Sequence, residues 1–448
     1  MEKYSFFIFG ATGSVGTMIF DIIEKSEKND FSFYLLTANK ISDKLISLIN
    51  KYYPKNLFLF DNKENKEIDK FIREREQQNN KEHSLYYKKG KFPNVILNEN
   101  DFIKFIVESF KLVNDKKNKT KRVFLNSIMG INGFIPTIVN FFDDEIIGAS
   151  ANKESLVILG ELLKNINYIK KISEIIFPLD SEHFSLYKLF NIVKNCDDIK
   201  NIIITASGGI FYQKLIEGFK FEELKNIKLE DLLKHPNWKM GKRITIDSST
   251  GLNKCFEFIE AIYLYNIEKE KIKIGVSKSS FIHAALVDKT ESIYIDASHP
   301  DMHQSINYFF NKVLGIKTNY NYKELDNYFI DYKLENYDFS FFKITDYVMK
   351  NYNPYNFFGT KIILLNEILQ DKLFDGQIEL YEFIEVFINI LKNIEKQEIF
   401  DENIKKDFNK LVLLKNEKSA NFENRLISFI INLFDSINSY RIKIKNLL

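Results

Sequence analysis

From Tyr4 onward, short apolar runs at 6–9, 33–36 and 57–60 alternate with amphipathic stretches at 18–24 and 44–51. Runs of strand length separated by segments of helical period predict βαβαβ, the opening of a parallel sheet with right-handed crossovers. Residues 61–90 are rich in Lys, Glu, Asn and Gln and read as an exposed helical excursion or partly mobile insertion. A strand is expected over 123–128, after the charged loop 114–122. Two further strand-to-turn units are expected, 201–205 before Ala206-Ser207-Gly208-Gly209 and 243–247 before Ser248-Ser249-Thr250-Gly251. Small hydroxyl and glycine residues at strand ends are where α/β proteins keep ligands. After the apolar run 293–295 the Pro300 turn opens a helix, and a Tyr/Asn/Lys-rich stretch at 318–337 looks like a connecting segment. From Phe341 the period is helical, as in Leu364, Leu365, Ile368 and Leu369 and then Tyr381, Phe383, Ile384 and Phe387. The reading is an α/β protein: an N-terminal Rossmann-like parallel sheet domain over 1–150, a central α/β domain over 151–317, a linker over 318–340 and a helical domain over 341–448.

The composition narrows the partners. With 448 residues the chain has room for two or three cores, and 45% hydrophobic against 28% charged residues is a globular balance. Lys plus Arg number 63 and Asp plus Glu 61, a net charge of +2, which argues against an electrostatic nucleic-acid binder. Cys196 and Cys255 make neither a disulfide framework nor a metal-ligand spacing, so both read as small buried hydrophobes in a reducing compartment. No apolar run is long enough to span a bilayer, and with an apolar strand entered at Tyr4 no signal or transit segment is expected. A soluble cytoplasmic protein with neither nucleic-acid nor membrane partners is expected.

Chemistry concentrates in a few places. Gly10-Ala11-Thr12-Gly13-Ser14-Val15-Gly16 falls between the first strand and first helix, where a glycine-rich turn lets backbone amides approach a pyrophosphate. A tight packing turn without a ligand is the plainer alternative. About twenty residues on, where an NAD site places a carboxylate on the ribose hydroxyl, the chain has Thr37-Ala38-Asn39-Lys40. A Lys without a carboxylate favours a 2′-phosphate and hence NADP, unless Lys40 is only a solvated loop residue. Asp180 and Glu182 emerge after the apolar run 175–177, and on an extended segment they would face one way and grip a hard divalent cation through oxygen. Asn253, Lys254 and Glu257 lie at helical spacing beyond Gly251 and add a third carboxylate, with a surface salt-bridge face as the alternative. Ser207-Gly208-Gly209 and Ser248-Ser249 supply hydroxyls and amides suited to a phosphate. Serine catalysis is the rival, but the nucleophile elbow Gly-x-Ser-x-Gly is absent. The segment His235-Pro236-Asn237-Trp238-Lys239-Met240-Gly241 holds the single tryptophan and reads either as a lid that excludes water or as a loop anchored by its Trp. His299 and His303 lack the intervening Glu of a zinc helix and are taken as a helix start.

Taken in order, these motifs resemble the 1-deoxy-D-xylulose 5-phosphate reductoisomerase family. The resemblance rests on residues 10–16, Ala-Asn-Lys-Glu-Ser-Leu-Val at 151–157, Pro-Leu-Asp-Ser-Glu-His at 178–183 and Thr-Ala-Ser-Gly-Gly at 205–209. It continues through 235–241, Ile-Asp-Ser-Ser-Thr-Gly-Leu-Asn-Lys at 246–254, Pro-Asp-Met at 300–302 and Leu-Asn-Glu-Ile at 365–368. It spans Tyr4 to about Asn393 apart from 61–90. The resemblance implies conversion of 1-deoxy-D-xylulose 5-phosphate, a phosphorylated ketose, to 2-C-methyl-D-erythritol 4-phosphate for isoprenoid synthesis, using NADPH and Mg²⁺ or Mn²⁺ in a homodimer. By the same implication Asp180, Glu182 and Glu257 bind the metal, and Lys153 and His235 join them as catalytic residues. Lys153, Ser181, Glu182, Ser207, His235, Trp238, Ser248, Asn253, Lys254 and Glu257 hold the substrate, with Ser207, Ser248, Asn253 and Lys254 around its phosphate. Gly10, Thr12, Gly13, Ser14, Val15, Asn39, Lys40, Ile41, Asn152, Glu154 and Gly241 hold NADPH. The residue types suit a Lewis-acid site beside a hydride donor.

Two departures stand out. Ser277-Lys278-Ser279-Ser280 replaces the family's His-Pro-Gln-Ser ahead of Ile282-His283, and Asn39-Lys40-Ile41 replaces its Gly-Lys-Asn. With the 61–90 insertion they motivate an alternative, a non-catalytic NADP-binding sensor derived from the enzyme. A simpler NADP dehydrogenase is a third reading, but it needs no three-carboxylate site.

Overall fold

The computed structural model describes residues 3–27, 30–61, 63–70, 93–109, 120–168, 170–193, 196–233, 241–322, 333–415 and 420–448. Residues 71–90 of the polar insertion, most of the 114–122 loop, the His235–Met240 segment and residues 323–332 of the expected linker lie outside these.

The first element, β1 (Lys3–Phe9), is the middle strand of a sheet that continues through β2 (Asp30–Ala38), β3 (Asn56–Leu59) and β4 (Asn94–Ile96) on one side. On the other side follow β5 (Thr120–Asn126), β6 (Ile146–Ser150) and β7 (Ile176–Pro178). All neighbours in this seven-stranded sheet are parallel. A parallel sheet is covered on both faces, and β1 shows why it reads as an unbroken apolar run. Tyr4, Phe6 and Ile8 join the core on one face while Phe7 and Phe9 join the core on the other. Phe6 stacks on Phe33 and Phe310; Phe9 meets Phe102 and Phe124 edge-on. Each such ring contributes about 1.5–3 kcal/mol on burial.

Side-chain caps start the crossover helices where the sequence supplies them. Ser42 accepts from the Leu45 amide at 3.2 Å at the head of the Asp43–Tyr52 helix, and Asn98 from the Asp101 amide at 2.9 Å before Glu99–Glu108. The start of the polar excursion is helical as expected, over residues 63–70, and is anchored by buried Asn65, which bridges Leu59 N at 2.8 Å and Leu59 O at 2.6 Å.

The second sheet runs β11 (Ile293–Ala297), β10 (Ile282–Asp288), β8 (Ile199–Ala206), β9 (Ile272–Val276), β12 (Glu335–Asn336). It is mixed, with β8 and β9 parallel and the other pairs antiparallel. The expected strand at 243–247 is instead part of a helix, Lys242–Thr250. Its β-branched residues return their hydroxyls to the preceding turn, Thr245 to Gly241 O at 3.0 Å and Thr250 to Ile246 O at 2.9 Å, and Gly251 closes it with a left-handed φ of 81°. Nor is the stretch bearing Asp180 and Glu182 extended, since β7 ends at Pro178 and a helix begins at Ser181. Beyond residue 341 the described chain is helical as expected: Lys343–Asn351, Phe358–Phe374, Leu380–Ile394, Glu402–Leu414 and Ala420–Lys445. These helices share one continuous core with the second sheet and one face of the first.

Candidate active site

In the first sheet the chain leaves β1 toward β2 and later returns to β5 on the opposite side, so a crevice opens between the carboxyl ends of β1 and β5. Gly10 leaves β1 at φ +82°, and a Cβ there would sit 2.8 Å from the carbonyl oxygen of Ser127. Ser127 follows β5 and donates its hydroxyl to Phe9 O at 2.7 Å, which draws the two strand ends together. A Cβ on Gly16 would lie 2.3 Å from Gly10 O, so the helix Ser14–Lys25 packs directly on the turn. Gly13 heads that helix without a side-chain cap, leaving its first amides for a ligand. The resulting cleft of about 510 Å³ is lined by Gly10, Thr12, Gly13, Asn39 and Ser127 on one side and by Arg243, Glu367 and Arg441 on the other. That is the size of a nucleotide-class pocket.

A second cavity adjoins it, sharing Gly13, Ser127, Ile128, Met129, Glu154 and Asp247. Its floor is made by two helix starts. Asp180 caps the Ser181–Val193 helix, its Oδ1 accepting from Glu182 N at 3.2 Å, so the two carboxylates come together through helix entry rather than strand alternation. The helix Leu252–Tyr265 contributes Asn253, Lys254 and fully buried Glu257. Carboxylate oxygens of Asp180, Glu182 and Glu257 lie within 4.8 Å of one another.

Three carboxylates so close repel one another, and two lysines offset most of that charge. Lys153, the first residue of the Lys153–Asn165 helix, places Nζ 2.6 Å from both Asp180 Oδ2 and Glu257 Oε1 and donates to Asn253 Oδ1 at 3.0 Å. Lys254 donates to Glu182 Oε1 at 2.7 Å and to Glu257 Oε2. Burial would lower both lysines, but the surrounding carboxylates outweigh it and hold both above the ordinary ammonium value. Burial opposes ionisation of Asp180 too, yet Lys153 and His183 pull it well below the usual carboxylate range. Glu257 is pushed up to about 7, by burial first and then by Glu182, against the pull of the two lysines. The site therefore holds three carboxylates as an all-oxygen donor set, only partly offset by two lysines, the chemistry that a hard divalent cation exchanges into.

Sequence comparison places this arrangement. Residues 6–160 match the profile of 1-deoxy-D-xylulose 5-phosphate reductoisomerase, and residues 176–265 match that of its C-terminal domain. The chain is 35% identical over 307 residues to the 1-deoxy-D-xylulose 5-phosphate reductoisomerase of Clostridium tetani, covering 68% of this chain and 70% of the relative. The chain belongs to the 1-deoxy-D-xylulose 5-phosphate reductoisomerase family. The enzyme of the same name from Malacoplasma penetrans is 35% identical over 308 residues, covering 68% of this chain and 66% of that one. The fold agrees over nearly the whole length. A reductoisomerase crystallised with NADPH, fosmidomycin and magnesium superposes with a TM-score of 0.67 at 22% identity, covering 98% of each chain. The Zymomonas mobilis enzyme in complex with NADPH gives 0.67 at 22%, covering 96% of this chain and 99% of that one.

Of the residues singled out from the sequence, Lys153, Asp180, Ser181, Glu182, Ser207, Ser248, Asn253, Lys254 and Glu257 line the second cavity together with Ser14, Val15 and Gly241. Gly10, Thr12, Gly13, Asn39 and Glu154 line the first. Lys40 and Ile41 stand exposed beyond β2 and line neither cavity. Asn152 is buried and acts on the loop behind the site, donating to Ile128 O at 2.6 Å and Gly130 O at 2.9 Å while capping the next helix through Ser155 N. His235 and Trp238 lie outside the described residues. Ser277, where the family has His, is buried and accepts from Ile282 N at 3.2 Å, so it serves the turn into β10.

Sequence reasoning passed over the 127–130 loop, whose residues 127–129 line both cavities. Its signal was available: a strand ending in Asn126-Ser127 with Gly130 three residues on repeats the strand-then-small-residue pattern of β1. It also passed over His183 and Glu260, buried behind the carboxylates with Nε2 and Oε2 3.2 Å apart.

Proposed function

We propose that this chain catalyses the NADPH-dependent conversion of 1-deoxy-D-xylulose 5-phosphate to 2-C-methyl-D-erythritol 4-phosphate, a step toward isoprenoid precursors, with a divalent cation, Mg²⁺ or Mn²⁺, held by Asp180, Glu182 and Glu257. The observation that carries this reading is the three-carboxylate, two-lysine cluster in a cavity continuous with a glycine-rich cofactor cleft. It disfavours the sensor alternative, because a binding module has no use for a buried carboxylate cluster beside its cofactor. When bound, the cation supplies Lewis acidity at the substrate's oxygens and NADPH supplies the hydride.

The chain's own residues do the rest. Lys153 and Lys254 offset the carboxylate charge and stay protonated, so they donate hydrogen bonds to substrate oxygens that become anionic. Ser207, Ser248, Asn253 and Lys254 form the phosphate pocket, where Gly208 and Gly209 at positive φ leave the backbone open to an anion. Amides at Gly13, Ser14 and Val15 take the cofactor's pyrophosphate. The enzyme is proposed to be cytoplasmic and homodimeric; among the described residues no helix is long and apolar enough to cross a membrane. The edge strand β11 presents Ile293 and Ile295 outward, a surface suited to a second copy.

The test is NADPH oxidation with the phosphorylated ketose and Mg²⁺ or Mn²⁺. Turnover that a chelator abolishes, that added cation restores and that Glu257→Gln lowers by about 100-fold or more supports the reading. NADPH binding without turnover under every cation overturns it in favour of the sensor.

A further inference from the structure

The wall of the cofactor cleft opposite the glycine loop is built from the far end of the chain. Arg441 and Lys445, one turn apart near the end of the Ala420–Lys445 helix, line the cleft together with Arg243. These three are the cations that line it among the described residues, and none belongs to the first sheet or its crossovers. They face four carboxyl groups, Glu154, Asp247, Glu367 and Asp371. Two of the cations are already engaged: Arg243 reaches Asp371 Oδ1 at 2.5 Å and Gln370 at 3.2 Å, and Arg441 pairs with Glu367. Lys445 makes no ion pair among the described residues and is exposed. Arg441 has a structural part to play as well. Its partner Glu367 accepts from Ile131 N at 3.1 Å, so the helix is tied through one carboxylate to the loop that borders both cavities.

A dinucleotide brings several negative phosphates into this cleft, and backbone amides on the near wall cannot neutralise them all. Resting on the cofactor reading above, we infer that the C-terminal helix is part of the cofactor site, with Lys445 as a phosphate-binding cation and Arg441 as the positioning residue that holds the helix against the loop. A lysine in a last turn also suits the helix dipole, and Lys443 meets that need equally without lining the cleft. Lys443 is therefore the matched control.

The experiment is titration of the full-length protein with NADPH and with NADH, read by nicotinamide fluorescence in the absence of substrate, at low and high salt. For NADPH, Lys445→Ala is expected to weaken binding about 3–10-fold, and Lys445→Glu by more than about tenfold, with a shallower salt dependence than wild type. Lys445→Arg and Lys443→Ala are expected to stay within about twofold of wild type. A loss confined to NADPH assigns the contact to the 2′-phosphate and a loss shared with NADH assigns it to the pyrophosphate; either supports the inference. Unchanged affinity in both Lys445→Ala and Lys445→Glu, or an equal loss in Lys443→Ala, overturns it. If the wild-type protein shows no NADPH signal, the cofactor reading fails and the inference falls with it.

Discussion

At the scale of single residues, the site is governed by close approach and by charge balance. Gly10 combines a left-handed φ with a carbonyl of Ser127 where a side chain would begin. Gly10→Ala is expected to cost about 1–3 kcal/mol of stability, since the backbone conformation is strained and the β1–β5 crevice must widen. It should also raise the NADPH dissociation constant, which fluorescence titration beside a urea melt would check; an alanine variant that binds like wild type would show that the crevice width is not what positions the amides. Glycine at this place was legible from the strand-to-helix context. The pairing of Lys153 with both Asp180 and Glu257 was not, because those residues are far apart in the chain and meet only when the N-terminal turns of three helices converge.

Helices are where sequence reading and structure part company. The run Ile244-Thr245-Ile246 has strand-like branching, yet Asp247 immediately after it accepts from Asn366 and Gln370, both at 2.7 Å, on the Phe358–Phe374 helix, and that contact exists only with the segment helical and docked. The same helix is capped from outside by Glu161, which accepts from Gly359 N at 2.6 Å, Thr360 N at 3.0 Å and Thr360 Oγ1 at 2.8 Å. Burial pushes Glu161 up to about 7 in spite of these bonds. A carboxyl with a raised folded-state pKa binds more protons folded than unfolded, so its stabilising contribution is complete below the unfolded value near 4.5 and is lost as pH rises toward 7. The stability of wild type minus that of Glu161→Gln should therefore fall by about 3 kcal/mol across that window, measured by urea unfolding at a series of pH values. A difference independent of pH would show that Glu161 is ionised throughout.

For the whole molecule, the Ala420–Lys445 helix packs against the Glu99–Glu108 helix of the first sheet as well as against the Phe358–Phe374 and Glu402–Leu414 helices. Phe434 approaches Phe134, with ring centroids 6.5 Å apart. A shared core predicts a single cooperative transition instead of separate melting of the C-terminal helices. Leu433→Ala, at a fully buried position of that core, should destabilise the protein by about 2–5 kcal/mol, with far-UV CD and NADPH fluorescence shifting together on denaturation. Two resolved transitions would show that the C-terminal helices form an independent unit.

The parallel α/β start, the glycine turn, the helical character beyond residue 341 and the residue types of the carboxylate cluster are all legible in the chain alone. Each of these depends on local periodicity or on short motifs, which act over a few residues. Tertiary structure decided the helical state of 242–250, the merging of the C-terminal helices into the main core, and the route by which residues 441 and 445 reach a cleft that begins at residue 10. Those outcomes turn on contacts between segments distant in the chain, whose burial and charge pairing outweigh local preference and leave no periodic trace in the sequence.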